Sequence, residues 1–425
     1  MLKYTNFRIL TEWSPPFHFT KDARSPELLP CNYYNILNMR RLPILFTSIA
    51  LALLSCTGEE SLDSIARRVY SVADIQMRDI DNRLAPDSYP KTYENGVPKD
   101  SDQGWWCSGF YPGTLWLLYE QTGDESYRSL AEKHTLKLSD LPDKITDHDI
   151  GFQIASSFGN AYRITANTCW LATLKKGALC LAGRFSPVTG TTKSWNFSRN
   201  WDFPVIIDNM MNLEILTMAS RLFQLDSLAE IACTHANTTI KNHFRDDFSC
   251  FHLVDYDSTD GHIRGKQTVQ GYSDDSAWAR GQAWALYGYT MMARETAVEQ
   301  YLHQAEGIAD MLLERLPEDG IPYWDFDDPA IPDALRDASA GAIMSSAFAE
   351  LAGMTASSTR SKAYRQMAER QLRTLASEEY LASPGTNGGF LLKHSVGNIP
   401  GGTEIDVPLS YADYYFIEAL GRLIE

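Results

Sequence analysis

The chain has 425 residues, of which 44% are hydrophobic and 12% aromatic, enough for one large core or two ordinary domains and too apolar for disorder over most of its length. Its net charge of −16 at pH 7, with no cluster of lysines and arginines, sets nucleic acid aside as a partner, because phosphate binding needs such a cluster. No HExxH, GxxxxGK[ST] or GxSxG pattern occurs, so zinc-protease, phosphate-loop and serine-hydrolase chemistry lack support.

Residues 39–56, MRRLPILFTSIALALLSC, combine an arginine pair, an apolar stretch too short to span a bilayer comfortably, and a cysteine after Leu-Leu-Ser. This run resembles a bacterial lipoprotein signal. The resemblance implies cleavage before Cys56, lipidation of Cys56 and a tether from Thr57, with contact to the membrane only through that lipid. Residues 1–38 then read as an upstream extension outside the folded protein. The expected location is the periplasm or cell envelope. Beyond Cys56 stand Cys107, Cys169, Cys180, Cys233 and Cys250, an odd number with no CxxC pair. A disulfide scaffold or zinc site is not expected, and most of the five read as small buried apolar side chains.

From Ser61 onward apolar residues recur at helical spacing in paired segments. These are 61–84 with 111–121, then 125–138 after the Thr122-Gly123-Asp124 turn. Next come 149–166 and 163–182, whose joint is not fixed by the pattern. Further segments cover 208–223, 227–244, 274–294, 297–316, 336–354, 361–377 and 407–423. Strand patterns are confined to connections such as 251–256 and 389–393. A single domain over 57–425, all-α and folded as an (α/α)6 barrel of six helical hairpins, fits this alternation better than a four-helix bundle. The connecting loops are long, aromatic and unlike one another, which suits a pocket rim better than a solenoid surface.

The segment 270–290, QGYSDDSAWARGQAWALYGYT, gathers an amide, two acids, an arginine and two indoles around one helix start. Ser273, Asp274, Asp275 and Ser276 are good cap residues, so the helix is expected to begin near Asp274. Arg280 and Trp284, four apart, share a face. A guanidinium can grip a carboxylate through two parallel hydrogen bonds, and an indole can stack on a sugar ring. The competing reading pairs Arg280 with Asp274 or Asp275 and leaves Trp278 and Trp284 as core. Asp149 and Asp208 each open a predicted helix amid apolar neighbours, a setting that raises a carboxyl pKa and suits a proton donor. Helix capping is the alternative for both. Of Trp105 and Trp106, adjacent indoles, one is free to line a pocket.

The motifs WCSGFYPGTLWLLYEQTGD, HDIGF, PVIIDNMMNLEIL, QGYSDDSAWARGQAWALYGYT and EIDVPLSYADYYFIEAL, in this order, resemble glycoside hydrolase family 88, the unsaturated glucuronyl hydrolases. The resemblance implies an enzyme that removes the 4,5-unsaturated uronic acid left on the non-reducing end of oligosaccharides by polysaccharide lyases. It implies no cofactor and no metal, and a lyase as functional partner. It places the two catalytic carboxylates on Asp208, as acid, and Asp149, as its assistant. Substrate contacts fall on Trp106, His148, His252, Gln270, Arg280 and Trp284, with Arg280, His252 and Gln270 around the substrate carboxylate in a locally basic pocket. Family 105, the unsaturated rhamnogalacturonyl hydrolases, shares fold and chemistry, but HDIGF and QGYSDDSAWARGQAW favour family 88. A non-catalytic sugar-binding lipoprotein would not need both acids. The loop GNIPGGTEIDVP carries Thr403 and no lysine between Gly397 and Glu404, which speaks against strong selection for sulfated sugars.

Overall fold

The computed structural model describes residues 59–144, 147–196 and 200–424, so the expectations for residues 1–58, lipidation at Cys56 among them, lie outside the described residues. The described chain is mostly helical, and its short strands all lie in connections between helices. Helix α1 (Leu62–Arg83) is capped by Ser61, whose side chain accepts the N–H of Ser64. A hairpin of β1 (Tyr89–Glu94) and β2 (Val97–Ser101) turns on Asn95 and Gly96, both at positive φ, as a tight two-residue turn demands. Helix α2 (Phe110–Thr122) stops at left-handed Gly123, and α3 (Glu125–Leu136) starts from the Asp124 cap.

The joint left open by the sequence falls at Ala166, at φ 51°. Before it, α4 (Ile150–Ile154) and α5 (Asn160–Thr165) run together through one wide turn; after it comes α6 (Leu171–Ala182). Two two-residue strands, β3 (Phe185–Ser186) and β4 (Thr191–Thr192), precede β5 (Phe203–Ile206), α7 (Asn209–Phe223) and α8 (Asp226–His243). Strands β6 (Leu253–Tyr256) and β7 (Ile263–Gln267) add to β5 to make a three-stranded antiparallel sheet. Then follow α9 (Ala279–Thr296), α10 (Glu299–Arg315), α11 (Ala338–Met354), α12 (Ser358–Leu375), the hairpin β8 (Ser395–Asn398) with β9 (Thr403–Val407), and α13 (Ser410–Ile424).

The helices fall into two kinds. Helix α9 is buried without interruption from Ala279 to Ala293, whereas α12 buries only Tyr364, Met367, Ala368, Gln371, Leu372 and Leu375, a stripe at three- and four-residue spacing. Contacts among the first kind run from α2 to α5, from α4 to α7, and on through α9, α11 and α13 back to α2. The amphipathic helices lie against these: α3 on α2, α6 on α4 and α7, α8 on α7, α10 on α9, α12 on α11, and α1 on α13 and α2. Close approach is built into the sequence. A Cβ on Gly288 of α9 would stand 2.6 Å from Cβ of Met210 on α7, so only glycine lets these two helices touch backbone to side chain at that level.

Two expectations are corrected. Residues 389–393 form only a single antiparallel bridge, Leu392 with Leu381, and no longer strand, because the N–H groups of Leu391 and Leu392 donate to the buried carboxylate of Asp413. Of the five cysteines only Cys107 and Cys250 are fully buried; Cys180 and Cys233 are half-buried and Cys169 is exposed, and none of the five is in a disulfide.

Candidate active site

Asp149 and Asp208 stand immediately before the first turns of α4 and α7, two helices in contact. Neither side chain caps its helix, so the capping explanation for both acids is set aside. Dense protein surrounds each carboxyl, yet 24% of the Asp149 side chain and 14% of the Asp208 side chain remain open to solvent, so a ligand can reach them. Burial pushes Asp208 up to about 6, opposed by the charge of Arg280 and by the indole N–H of Trp284. Burial also carries Asp149 well above the ordinary carboxyl range, and repulsion from Asp147 and from Asp208 adds to the rise, while Asn212 and Arg184 oppose it. That repulsion places the two acids in one electrostatic neighbourhood.

Each acid faces a neutral imidazole. His148 Nε2 lies 3.5 Å from Asp149 Oδ1, and His252 Nε2 lies 3.6 Å from Asp208 Oδ2. Burial drives both histidines down, His252 to about 3, so both are uncharged near neutral pH. Their tautomers follow from their other ring atoms. The Phe152 N–H donates to Asn212 Oδ1 at 2.6 Å, which fixes the amide so that its Nδ2 donates to His148 Nδ1 at 3.1 Å. The backbone N–H of Gln270 likewise donates to His252 Nδ1, at 3.4 Å. Both imidazoles therefore carry their proton on Nε2, aimed at an acid.

The local backbone is held by short polar links. Ile207 N donates to His252 O at 2.9 Å, joining the end of β5 to the start of β6 just before Asp208. Ser194 accepts from His148 N at 2.9 Å through its carbonyl and from Ile206 N at 3.0 Å through its hydroxyl, so a single residue ties the two acid-bearing segments together. The glycine of HDIGF has a matching reason. A Cβ on Gly151 would fall 2.4 Å from Asn212 Oδ1, so only glycine admits the amide that orients His148.

The arginine segment differs from its sequence reading. Helix α9 begins at Ala279, after Trp278, five residues beyond the expected start. The Ser273–Ser276 stretch is a turn pinned by Asp325, whose Oδ2 accepts Tyr272 N at 2.8 Å and Ser276 Oγ at 2.7 Å. Arg280 pairs with neither Asp274 nor Asp275. It donates to the carbonyl oxygens of Val396 and Gly397 in β8, ion-pairs with Asp337 at 3.8 Å, and lies 4.4 Å over the Trp278 ring and 5.4 Å over that of Tyr411. Its side chain is only 3% exposed, and Nε has no partner. Trp284 is fully buried against Phe152, Tyr411 and Tyr415, so it has no open face on which a sugar could stack. Its place is beside Asp208, whose charged form its N–H favours. Gln270 is half-buried and its Nε2 donates to Gly397 O at 3.3 Å, the carbonyl that Arg280 also holds.

Trp106 is half-buried in the same aromatic cluster, 4.7 Å from Tyr411 and 5.6 Å from Phe152. Trp105 instead lies under Lys91, whose Nζ is 3.9 Å above the ring and 3.4 Å from Glu404. Strand β9 thus has a lysine of β1 against it at Glu404. Asn212, Asp337 and Tyr411 were not singled out from the sequence. Asn212 had a signal, four residues after Asp208 on the same helical face; Asp337 and Tyr411 act through partners far away in the chain.

Residues 82–418 match the family model for Glycosyl Hydrolase Family 88. The chain is 46% identical over 321 residues to an unsaturated glucuronyl hydrolase of Formosa agariphila, covering 75% of this chain and 79% of that one. It is 32% identical over 340 residues to an unsaturated chondroitin disaccharide hydrolase of Streptococcus pneumoniae, covering 78% and 85% respectively. Among solved structures, that of an unsaturated glucuronyl hydrolase specific for heparin superposes with a TM-score of 0.82 at 42% identity, covering 85% of this chain and 97% of the other.

Proposed function

Since the chain belongs to glycosyl hydrolase family 88, we propose a mechanism for it in which Asp208 delivers a proton to an alkene carbon and Asp149 assists. The protein is a glycosidase that hydrolyses unsaturated uronic acid from oligosaccharides. In such a substrate C4 and C5 form an enol ether conjugated to the carboxylate. A proton transferred from Asp208 to C4 leaves an oxocarbenium-like centre at C5. Water adds at C5 and gives its proton back to the Asp208 carboxylate; the hemiketal opens and the glycosidic bond is lost without attack at the anomeric carbon. A donor held near pKa 6 is weak enough to be protonated in part at neutral pH and strong enough to give that proton up. The observation that carries the reading is the geometry: two acids at the starts of contacting helices, neither capping its helix, each faced by the Nε2 of a buried histidine at 3.5–3.6 Å.

His252 and His148, protonated on Nε2 and neutral, are donors available to substrate oxygens next to the two acids, without competing as acids themselves. Arg280, held by Val396, Gly397 and Asp337, favours the substrate carboxylate by its charge, with the half-buried Gln270 beside it. Trp106 supplies the apolar platform. The cyclic run of α2, α4 with α5, α7, α9, α11 and α13, each backed by an outer helix, supports an (α/α)6 barrel, with Asp149, Asp208 and Arg280 at the amino-terminal ends of α4, α7 and α9. Lipid attachment at Cys56, in the periplasm or cell envelope, would set the enzyme where lyase products appear; the sequence pattern of residues 39–56 supports it.

The test is incubation with lyase-generated disaccharides from several polysaccharides, sulfated and not, in H2¹⁸O. Loss of the enol-ether absorbance with ¹⁸O at C5 supports the mechanism, and ¹⁸O at the anomeric carbon contradicts it.

A further inference from the structure

Four residues whose side chains cap helices in this protein, Ser61, Asp124, Asp337 and Ser357, sit on extended backbone, with ψ of 151°, 110°, 96° and 111°. Asp208, in the equivalent place before α7, has ψ −26° and gives its helix no side-chain bond. The amides it would otherwise cap go to backbone: Met210 N donates to Ile207 O and Met211 N to Asp208 O, both at 3.0 Å. This closed first turn leaves the carboxyl to the site.

The turn is held from the next residue, Asn209, which is fully buried. Its Nδ2 donates to Thr192 O at 2.7 Å and to Thr192 Oγ1 at 2.9 Å, and its Oδ1 accepts the Ser194 hydroxyl at 2.7 Å. Thr192, on β4, is fixed in turn by His235 of α8, whose Nδ1 accepts Thr192 N at 3.0 Å and lies 3.2 Å from Thr192 Oγ1. Because Nδ1 accepts a backbone N–H, the imidazole proton is on Nε2, and burial drives the ring down to about 3, which keeps it neutral. Thr192 Oγ1, accepting from Asn209, has its own hydrogen for Nδ1. The β3–β4 turn is seated on α8 with little slack: a Cβ on Gly190, at φ 67°, would fall 2.8 Å from Thr238 Oγ1.

We infer that His235 is a positioning residue for Asp208: through Thr192 and Asn209 it keeps the first turn of α7 closed on its own backbone and the acid turned to the site. The inference rests on the role given to Asp208 above. With the link broken, the backbone at 208 is free to take the extended form of the other caps, and the carboxylate accepts helix amides. A carboxylate so bonded keeps its charge more readily, so its proton is lost at lower pH. The groups that face Asp208 are the same in either case: Arg280 and Trp284 on α9, His252 and Cys250 ahead of β6, and Asp149 ahead of α4. His148 and His243, buried and neutral, are the titratable groups within electrostatic reach of His235.

The experiment compares His235→Leu with His235→Asn, whose Oδ1 takes the place of Nδ1 as acceptor, in pH profiles with an unsaturated disaccharide. His235→Leu should lower kcat about tenfold, the equivalent of one lost hydrogen bond, with KM unchanged. The pH at which kcat/KM falls, set near 6 by Asp208 in the parent, should move down by about one unit. His235→Asn should keep both values. Thr192→Val removes only the hydroxyl and should move the profile in the same direction, and it carries the test should His235→Leu not fold. A profile unmoved in both His235→Leu and Thr192→Val, or equal losses in His235→Leu and His235→Asn, overturns the link alone. A parent enzyme whose kcat/KM does not fall near pH 6 would overturn the role of Asp208 and the link with it, so the two failures are distinguishable.

Discussion

His252 Nε2 and Asp208 Oδ2 face each other at 3.6 Å, and both atoms are buried without a hydrogen-bond partner. Buried polar atoms are rarely left so, because each costs about 1–3 kcal/mol when unsatisfied. Here the donor and the acceptor stand side by side, on residues whose neighbours are fixed by Ile207 N to His252 O at 2.9 Å and Gln270 N to His252 Nδ1 at 3.4 Å.

The pH dependence of the reaction follows from this pair. Proton donation needs Asp208 protonated, and burial sets its pKa at about 6, while His252 at about 3 does not titrate in the working range. The rate constant kcat/KM for an unsaturated disaccharide should therefore fall as pH rises through about 6. A profile that is flat from about pH 5 to pH 9 would remove Asp208 as the titrating donor.

The same shift makes a stability prediction. Folding raises Asp208 from 3.8 to about 6, so the folded chain holds a proton that the unfolded chain releases. The contribution of Asp208 to stability is thus greatest below pH 4, declines as pH rises towards 6, and stays lower above it by up to about 3 kcal/mol. Asp208→Asn removes that charge. Its Tm should exceed the parent's at pH 7.5 and approach it at pH 4; the reverse order would mean that the carboxylate is stabilised, not strained, by its surroundings.

Arg280 serves both fold and substrate, and the two roles separate by mutation. Arg280→Ala strands the buried Asp337 carboxylate and should destabilise the protein by about 3–5 kcal/mol. Pairing Arg280→Met with Asp337→Asn removes both charges and should restore much of the loss. KM for the uronate should remain high in the double variant. If KM recovers together with Tm, the substrate carboxylate is held elsewhere.

Gly151→Ala probes the support of the site without touching a titrating group. Its Cβ would overlap Asn212 Oδ1, so the amide that sets the His148 tautomer must move. A loss of about 1–3 kcal/mol from overpacking is expected, with kcat reduced and KM little changed. Unaltered kcat would show that the Asn212–His148 link does not matter to turnover.

That Asp149 and Asp208 stand at helix starts is legible in the sequence, because both sit in short motifs flanked by apolar residues at helical spacing; that they belong together came with the family resemblance, since local pattern alone left capping open for each. It misplaced the start of α9 because Ser273–Ser276 has the composition of a cap, yet Asp325, some fifty residues away, captures those polar groups for a turn. Residues 389–393 looked like a strand for a similar reason: their amides go to Asp413, a partner no local pattern reveals. Trp284 read as a stacking surface since spacing shows which face a side chain takes but not what covers it; Phe152, Tyr411 and Tyr415 do. Arg280 was placed on the right helix, and its true partner Asp337 is legible only once α9 and α11 are side by side.

The most direct measurement is the rate at which Asp208→Asn consumes the enol-ether absorbance of an unsaturated disaccharide, alongside its circular dichroism. A loss of about a hundredfold to ten-thousandfold in kcat is expected, the contribution of a positioned proton donor, with the helical spectrum unchanged. Activity within a few-fold of the parent in a normally folded variant would contradict it.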